Sequence, residues 1–116
     1  MALSYFINRK KAMCVITLQG SLTSNDVEVL SACLKEAVLE PARNYILNMG
    51  GLKDVEPDAS RAFTLFQQGL RGNSRLYLCD LNDKIGRMLR AGGIIRESEI
   101  FSDLMAVLQA ILNEEK

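Results

Sequence analysis

The stretch YILNMGGLKDVEPDA, residues 45–59, decides how this chain folds. Its first five residues, Tyr45-Ile-Leu-Asn-Met49, read as a short strand that is apolar on both faces, as an interior strand has to be. Gly50-Gly51 interrupts it. An alternation of apolar and charged residues follows, Leu52-Lys-Asp-Val-Glu56, and reads as a charged surface loop. Pro57-Asp58 then opens an amphipathic helix, where proline is favoured because its missing N–H has no partner in the first turn anyway. A buried strand thus delivers a loop to a helix start that bears the fixed negative charge of Asp58. Helix N-termini present unpaired N–H groups and partial positive charge, so they suit anions. The functional site is expected at this corner.

Outward from it, strands and helices alternate with no linker, repeat or low-complexity segment. Residues 4–9 and 12–19 read as a hairpin whose second arm is β-rich enough for a central strand, ended by Gly20. Thr23-Ser-Asn-Asp26 is a variant capping box, with Asp in place of the usual Glu. It starts a helix over residues 24–39 that buries Val27, Leu30, Leu34 and Val38, and Pro41 closes it. The helix opened by Pro57 runs to about residue 70. Ala59, Ala62, Phe63, Phe66 and Leu70 form its apolar stripe, while Asp58, Arg61, Gln68 and Arg71 face water. Gly69-Leu-Arg-Gly72 reads as its C-cap. Residues 75–79 form a strand. Asn82 caps a third helix with Ile85, Met88 and Leu89 inward, stopped by Gly92-Gly93. Residues 98–101 give a short edge strand. Ser102 and Asp103 begin a last helix that buries Leu104, Val107, Leu108, Ile111 and Leu112. This order predicts an α/β fold with a mixed, mostly parallel sheet of four or five strands and four helices mainly on one face. Segments 12–19 and 45–49 are central and parallel, and the first hairpin supplies an antiparallel edge.

Composition removes several classes of function. A chain of 116 residues suits one domain around one core. The 14 basic and 14 acidic residues cancel, so no domain-wide field steers it to nucleic acid or an anionic membrane. Arg9-Lys10-Lys11 reads as a solvated run in a hairpin turn. No apolar stretch approaches the ~18 residues of a spanning helix, and the N-terminus lacks the pattern of a signal peptide. The chain has no histidine, which removes the commonest general base and metal ligand and excludes Ser-His-Asp and Cys-His catalysis. Cys14, Cys33 and Cys79 lack metal-ligand spacing and read as buried free thiols in a reducing cytosol. Gly50-Gly51-Leu-Lys53 has the wrong spacing for a phosphate loop. Asp54, Glu56 and Asp58 read as solvated carboxylates rather than an acid/base pair. The expectation is a binding protein, with no cofactor, no metal, no nucleic acid and no membrane insertion.

The order and spacing of four motifs resemble the STAS domain, the fold of bacterial anti-sigma factor antagonists and of the cytoplasmic tails of sulphate transporters. Gly20-Ser-Leu-Thr23 stands where that family has Gly-x-Leu-Asp after its central strand. Leu47-Asn-Met-Gly-Gly51 matches its Leu-Asp-Leu-Ser-Gly strand and turn. Glu56-Pro-Asp-Ala-Ser60 occupies the slot of its helix-opening Asp-Ser-Ser-Gly-Leu. Arg90-Ala-Gly-Gly-Ile-Ile followed by Ile100-Phe-Ser-Asp-Leu resembles its close.

The resemblance implies a non-enzymatic, cytoplasmic, bacterial regulator of transcription that signals by binding a protein partner, an anti-sigma factor that is also a serine kinase. It further implies that the chain alone is a monomer or weak dimer. In such antagonists the second serine of the helix-opening pair is phosphorylated. That serine falls on Asp58, with Pro57 before it and Ala59 after it, so the chain offers no hydroxyl at the family position. Asp58 carries one charge where phosphoserine carries roughly 1.5 to 2. It is read either as a permanent imitation of the phosphorylated form or as a favourable helix-start acid and nothing more. Ser60 and Thr64 are the alternative acceptors on the same helix. The expected partner surface combines Ser21, Thr23, Ser24 and Asn25 with Asp54, Glu56, Pro57 and Asp58, and with Ala59, Ser60, Arg61 and Thr64. The alternative is a structural or accessory STAS subunit of a transporter or scaffold assembly. A nucleotide or lipid site near the acidic corner is a third, weaker reading.

Overall fold

Five strands lie side by side in chain order: β1 (Ser4–Lys10), β2 (Met13–Leu22), β3 (Asn44–Val55), β4 (Arg75–Cys79) and β5 (Ile100–Phe101). The structure, a computed structural model, describes residues 2–10, 12–70, 74–92 and 100–114. β1 runs antiparallel to β2, and every later pair is parallel. The expected fold class is therefore the observed one, with β2 and β3 as central, parallel neighbours. Three helices fill the crossovers: α1 (Val27–Val38), α2 (Arg61–Gly69) and α3 (Asp83–Ala91); α4 (Leu104–Glu114) follows β5. Short 3-10 turns, Ser24–Asp26 and Pro57–Ser60, lead into α1 and α2.

Side-chain alternation along the strands divides the interior into two layers. Cys14, Ile16 and Leu18 of β2, Tyr45, Leu47 and Met49 of β3, and Leu76 and Leu78 of β4 face α1, α2 and α3 in the larger core. Phe63 is fully buried there, and the rings of Tyr45 and Phe66 meet edge to face at 5.7 Å. The alternate residues Ile46, Tyr77 and Cys79 face Val107 and Ile111 of α4. Three helices thus cover one face and α4 part of the other.

Three local expectations need correction. Gly20 does not end β2. It takes φ 94°, a backbone setting that favours glycine, and the β2–β3 register shifts on either side of it, so the strand bulges and continues to Leu22. Residues 52–55 are not a loop but the end of β3, held there because Leu52 and Val55 are buried. Val38 and Leu112, expected inside, are 38% and 59% exposed, because Cys33 and Ala37 complete the stripe of α1 and Val107 and Ile111 that of α4. Expectations that fell on Lys11, Arg71, Gly72, Gly93, Ile94, Ile95 and residues 98–99 lie outside the described residues.

Arg9 is not merely solvated either. Its guanidinium donates to the carbonyl oxygens of Glu36 at 2.8 Å, Ala37 at 3.0 Å and Glu40 at 3.0 Å, and so closes the C-terminal end of α1. Cys14, Cys33 and Cys79 are free thiols, each fully buried.

Candidate functional site

Pairing between β3 and β4 stops at Asn48 and Cys79, whereas β2 and β3 stay paired to Leu22 and Val55. β1 pairs with β2 only as far as Ser4 and Gln19, so beyond Gln19 and Gly51 the sheet is a two-stranded ribbon. Its close packing explains Gly51: a Cβ there would lie 2.8 Å from Gln19 Cγ and 3.1 Å from the Leu18 carbonyl oxygen. The two strands leave the ribbon together, and the Glu56 N–H donates to Leu22 O at 2.9 Å. This sets the two 3-10 turns side by side.

The first turn is fixed by the capping box read in the sequence. The Thr23 hydroxyl and backbone N–H both donate to the Asp26 carboxylate, at 2.7 and 3.0 Å, and the Asn25 N–H donates to Thr23 Oγ1 at 3.3 Å. The hydrogen bond from the Thr23 hydroxyl, followed by that from its N–H, holds the Asp26 carboxyl below its ordinary pKa. Asp26 is buried, Thr23 and Ser21 are partly so, and Ser24 and Asn25 are exposed. The turns are tied across the gap by Ser24 Oγ, which donates to Glu56 Oε2 at 2.9 Å.

The second turn presents Pro57 and Asp58 to solvent. Its capacity for an anion is smaller than a helix start suggests. Pro57 has no N–H, and the N–H groups of Ala59 and Ser60 already donate to Glu56 O at 3.0 and 3.2 Å. Ala59 and Ser60, expected on the partner surface, are buried. The Ser60 hydroxyl donates to Pro57 O at 2.6 Å, so it pins the turn from beneath. Arg61 is exposed and Thr64 half-buried, one helical turn further on. Asp54 leans the other way and accepts from Lys84 Nζ of α3 at 2.7 Å. The structure therefore brings Ser24, Asn25, Glu56, Pro57 and Asp58 together, and sets Asp54 beside α3.

Sequence reading missed the part played by α3. Asn82 caps that helix through Oδ1, which accepts from the Ile85 N–H at 2.9 Å, and its Nδ2 donates to Lys53 O at 3.1 Å. The cap was legible; its second bond, to a strand about thirty residues earlier in the chain, carried no local signal. Among the described residues, no three Cys, Asp or Glu side chains group as metal ligands, and no helix is long and apolar enough to cross a membrane.

The STAS domain family model matches residues 6–106. The chain belongs to the STAS domain family. This STAS chain is similar to an anti-sigma factor antagonist from Mycobacterium paratuberculosis, with a TM-score of 0.86 at 9% identity over 94% of this chain and 93% of that one. It is also similar to the Bacillus cell fate determinant SpoIIAA in its phosphorylated form, with a TM-score of 0.72 at 14% identity over 93% and 99% of the two chains. A sulfate transporter family protein from Wolinella succinogenes gives a TM-score of 0.75 at 20% identity over 90% and 89%. No curated protein sequence gives a significant match. At these identities the likeness to solved structures is one of fold.

Proposed function

We propose that this STAS chain is a non-enzymatic, cytoplasmic regulatory domain of the anti-sigma factor antagonist kind, with Asp58 standing where relatives carry a phosphorylatable serine. The single observation that supports it most is the exposure of Asp58 on a turn bonded to its neighbour through Ser24 and Glu56. A rigid corner with a fixed charge is a surface that a protein partner can read. Exposed side chains of Asn25, Pro57, Asp58 and Arg61 form the outer contact, and Ser24 and Glu56 hold its shape. The partner expected from the resemblance is an anti-sigma factor with serine kinase character, docking without a phosphorylation switch at residue 58.

Affinity for that partner is the test, measured by calorimetry on the wild type, Asp58→Ser and Asp58→Ala. A functional interface charge changes affinity roughly tenfold or more, the equivalent of about 1.4 kcal/mol. Asp58→Ser is expected to shift affinity by that amount and to accept phosphate from the kinase, while the wild type accepts none at residue 58. Equal binding by three equally folded proteins reduces Asp58 to a helix-start acid.

A second reading, an accessory subunit of a transporter or scaffold assembly, is favoured by one observation. Phe6, Met105 and Leu112, all far from Asp58 in the chain, are 60%, 67% and 59% exposed. Sedimentation separates the two readings: a monomer or weak dimer supports the regulator, and a stable oligomer the assembly subunit.

A further inference from the structure

At the end of the sheet where β2 and β3 begin, opposite the Asp58 corner, a cavity of about 720 Å³ opens between the sheet and α4. Its size lies within the roughly 300–1,000 Å³ typical of sites for small organic ligands. The register explains its floor. Lys10 pairs with Met13 across β1–β2, and Met13 with Asn44 across β2–β3, so the three form one row across adjacent strands. Asn44 lies two residues before Ile46, which faces α4, so its side chain is on the same face. Leu108, Ile111 and Leu112 of α4 form the opposite wall.

The polar groups of that row are not spent elsewhere. Asn44 is 5% exposed, and its backbone N–H donates to Ala12 O at 3.0 Å. Its side-chain amide makes no hydrogen bond among the described residues. No fully buried side-chain nitrogen or oxygen lacks a hydrogen-bond partner among the described residues, so the Asn44 amide is open to the cavity, where water or the polar group of a ligand reaches it. Lys10 is exposed at the rim and forms no ion pair among the described residues. The walls that remain are Met13 and the α4 side chains, where apolar atoms need an apolar occupant. Leu112, 59% exposed, prolongs the apolar wall to solvent. A cation at the rim and an amide in the floor, flanking Met13 in a cleft whose other lining is mostly apolar, fit a carboxylate that carries a long hydrocarbon chain. A flat protein face would leave the Asn44 amide unreached.

We propose that this cleft binds a free long-chain fatty acid, its carboxylate accepting from the Lys10 ammonium and the Asn44 amide and its chain lying between Met13 and Leu108, Ile111 and Leu112 of α4. The site is independent of the Asp58 corner. Palmitate, kept below its aggregation concentration, is titrated into the whole chain by calorimetry. Saturable one-to-one binding is expected. Lys10→Glu, at an exposed position that leaves the fold intact, is expected to weaken it at least tenfold, and Leu112→Lys to weaken it without changing the circular dichroism spectrum. Methyl palmitate, which has no carboxylate charge, is expected to bind at least tenfold more weakly than the acid. Absence of saturable binding overturns the proposal, as does equal affinity in the wild type and Lys10→Glu. Capture by phosphatidylglycerol vesicles without binding of free palmitate, or self-association through the Leu112 face in place of binding, overturns it as well.

Discussion

The three cysteines show how far one side chain's behaviour depends on its surroundings. Burial pushes the Cys33 and Cys79 thiols up from 9.0 to about 12, with the charges of Glu36 and Asp80 acting in the same sense. Burial also raises Cys14, against a smaller opposite pull from Arg9. The thiolate is the reactive form, so all three are inert in the folded chain. The expected outcome with Ellman's reagent at pH 8 is no fast reaction in native buffer and three equivalents in guanidinium. Fast release of one equivalent from the native protein contradicts the burial on which this rests. Asp58 is the opposite case. It is exposed, so its effect is expected on a partner rather than on the fold.

Among the elements, α1 has its C-terminal end held by a residue from an earlier strand. Its last carbonyl groups are satisfied by Arg9, which reaches over from β1 and also pairs with Glu40 at 3.4 Å. Hydrogen bonds from a charged donor are worth about 1.5–3 kcal/mol before the loss of side-chain freedom. Arg9→Ala is expected to lower stability by roughly 1–3 kcal/mol in urea unfolding. Arg9→Lys should recover only part of it, because an ammonium cannot reproduce the planar fork that meets three oxygens. An unchanged urea midpoint for Arg9→Ala shows the cap to be idle. The basic run was visible in the sequence, but not that its first member caps α1. That depends on β1 lying antiparallel beside β2 and bringing residue 9 to the end of α1.

For the molecule as a whole, buried ionisable groups bound the range of pH in which it is stable. The Asp26 carboxyl is held low in the folded state, so its contribution is present above the ordinary aspartate pKa and is lost as pH falls through the lowered folded value. Cys33 and Cys79 are held high, so theirs is complete below 9.0 and is lost as pH rises towards about 12. Tyr77, raised by burial and by its hydrogen bond to Glu114, acts in the same sense as the thiols. Urea stability measured against pH is expected to form a plateau that falls on both sides. Thr23→Val should raise the Asp26 pKa, followed by carbon-detected NMR, and move the acid limb to higher pH. Cys33→Ala with Cys79→Ala should soften the alkaline limb. Limbs that stay in place in these variants assign the pH dependence to other groups.

The sequence by itself determined the order of elements, the parallel pairing of its two central strands and the capping box at Thr23, because apolar periodicity, caps and turn residues act over a few neighbouring positions. Its apolar run at Tyr45–Met49 sufficed to place β3 inside the sheet. Only the tertiary structure decided that β2 and β3 run on past Gly20 and Gly51, since that depends on Leu22, Leu52 and Val55 finding cover beneath the helices. The same holds for Ser60, a hydroxyl beside an exposed acid in the sequence and a buried pin in the fold. It holds equally for the row of Lys10, Met13 and Asn44, whose members are brought together by register across three strands. Contacts between residues far apart in the chain have no period to read, and they exist only once the sheet has formed.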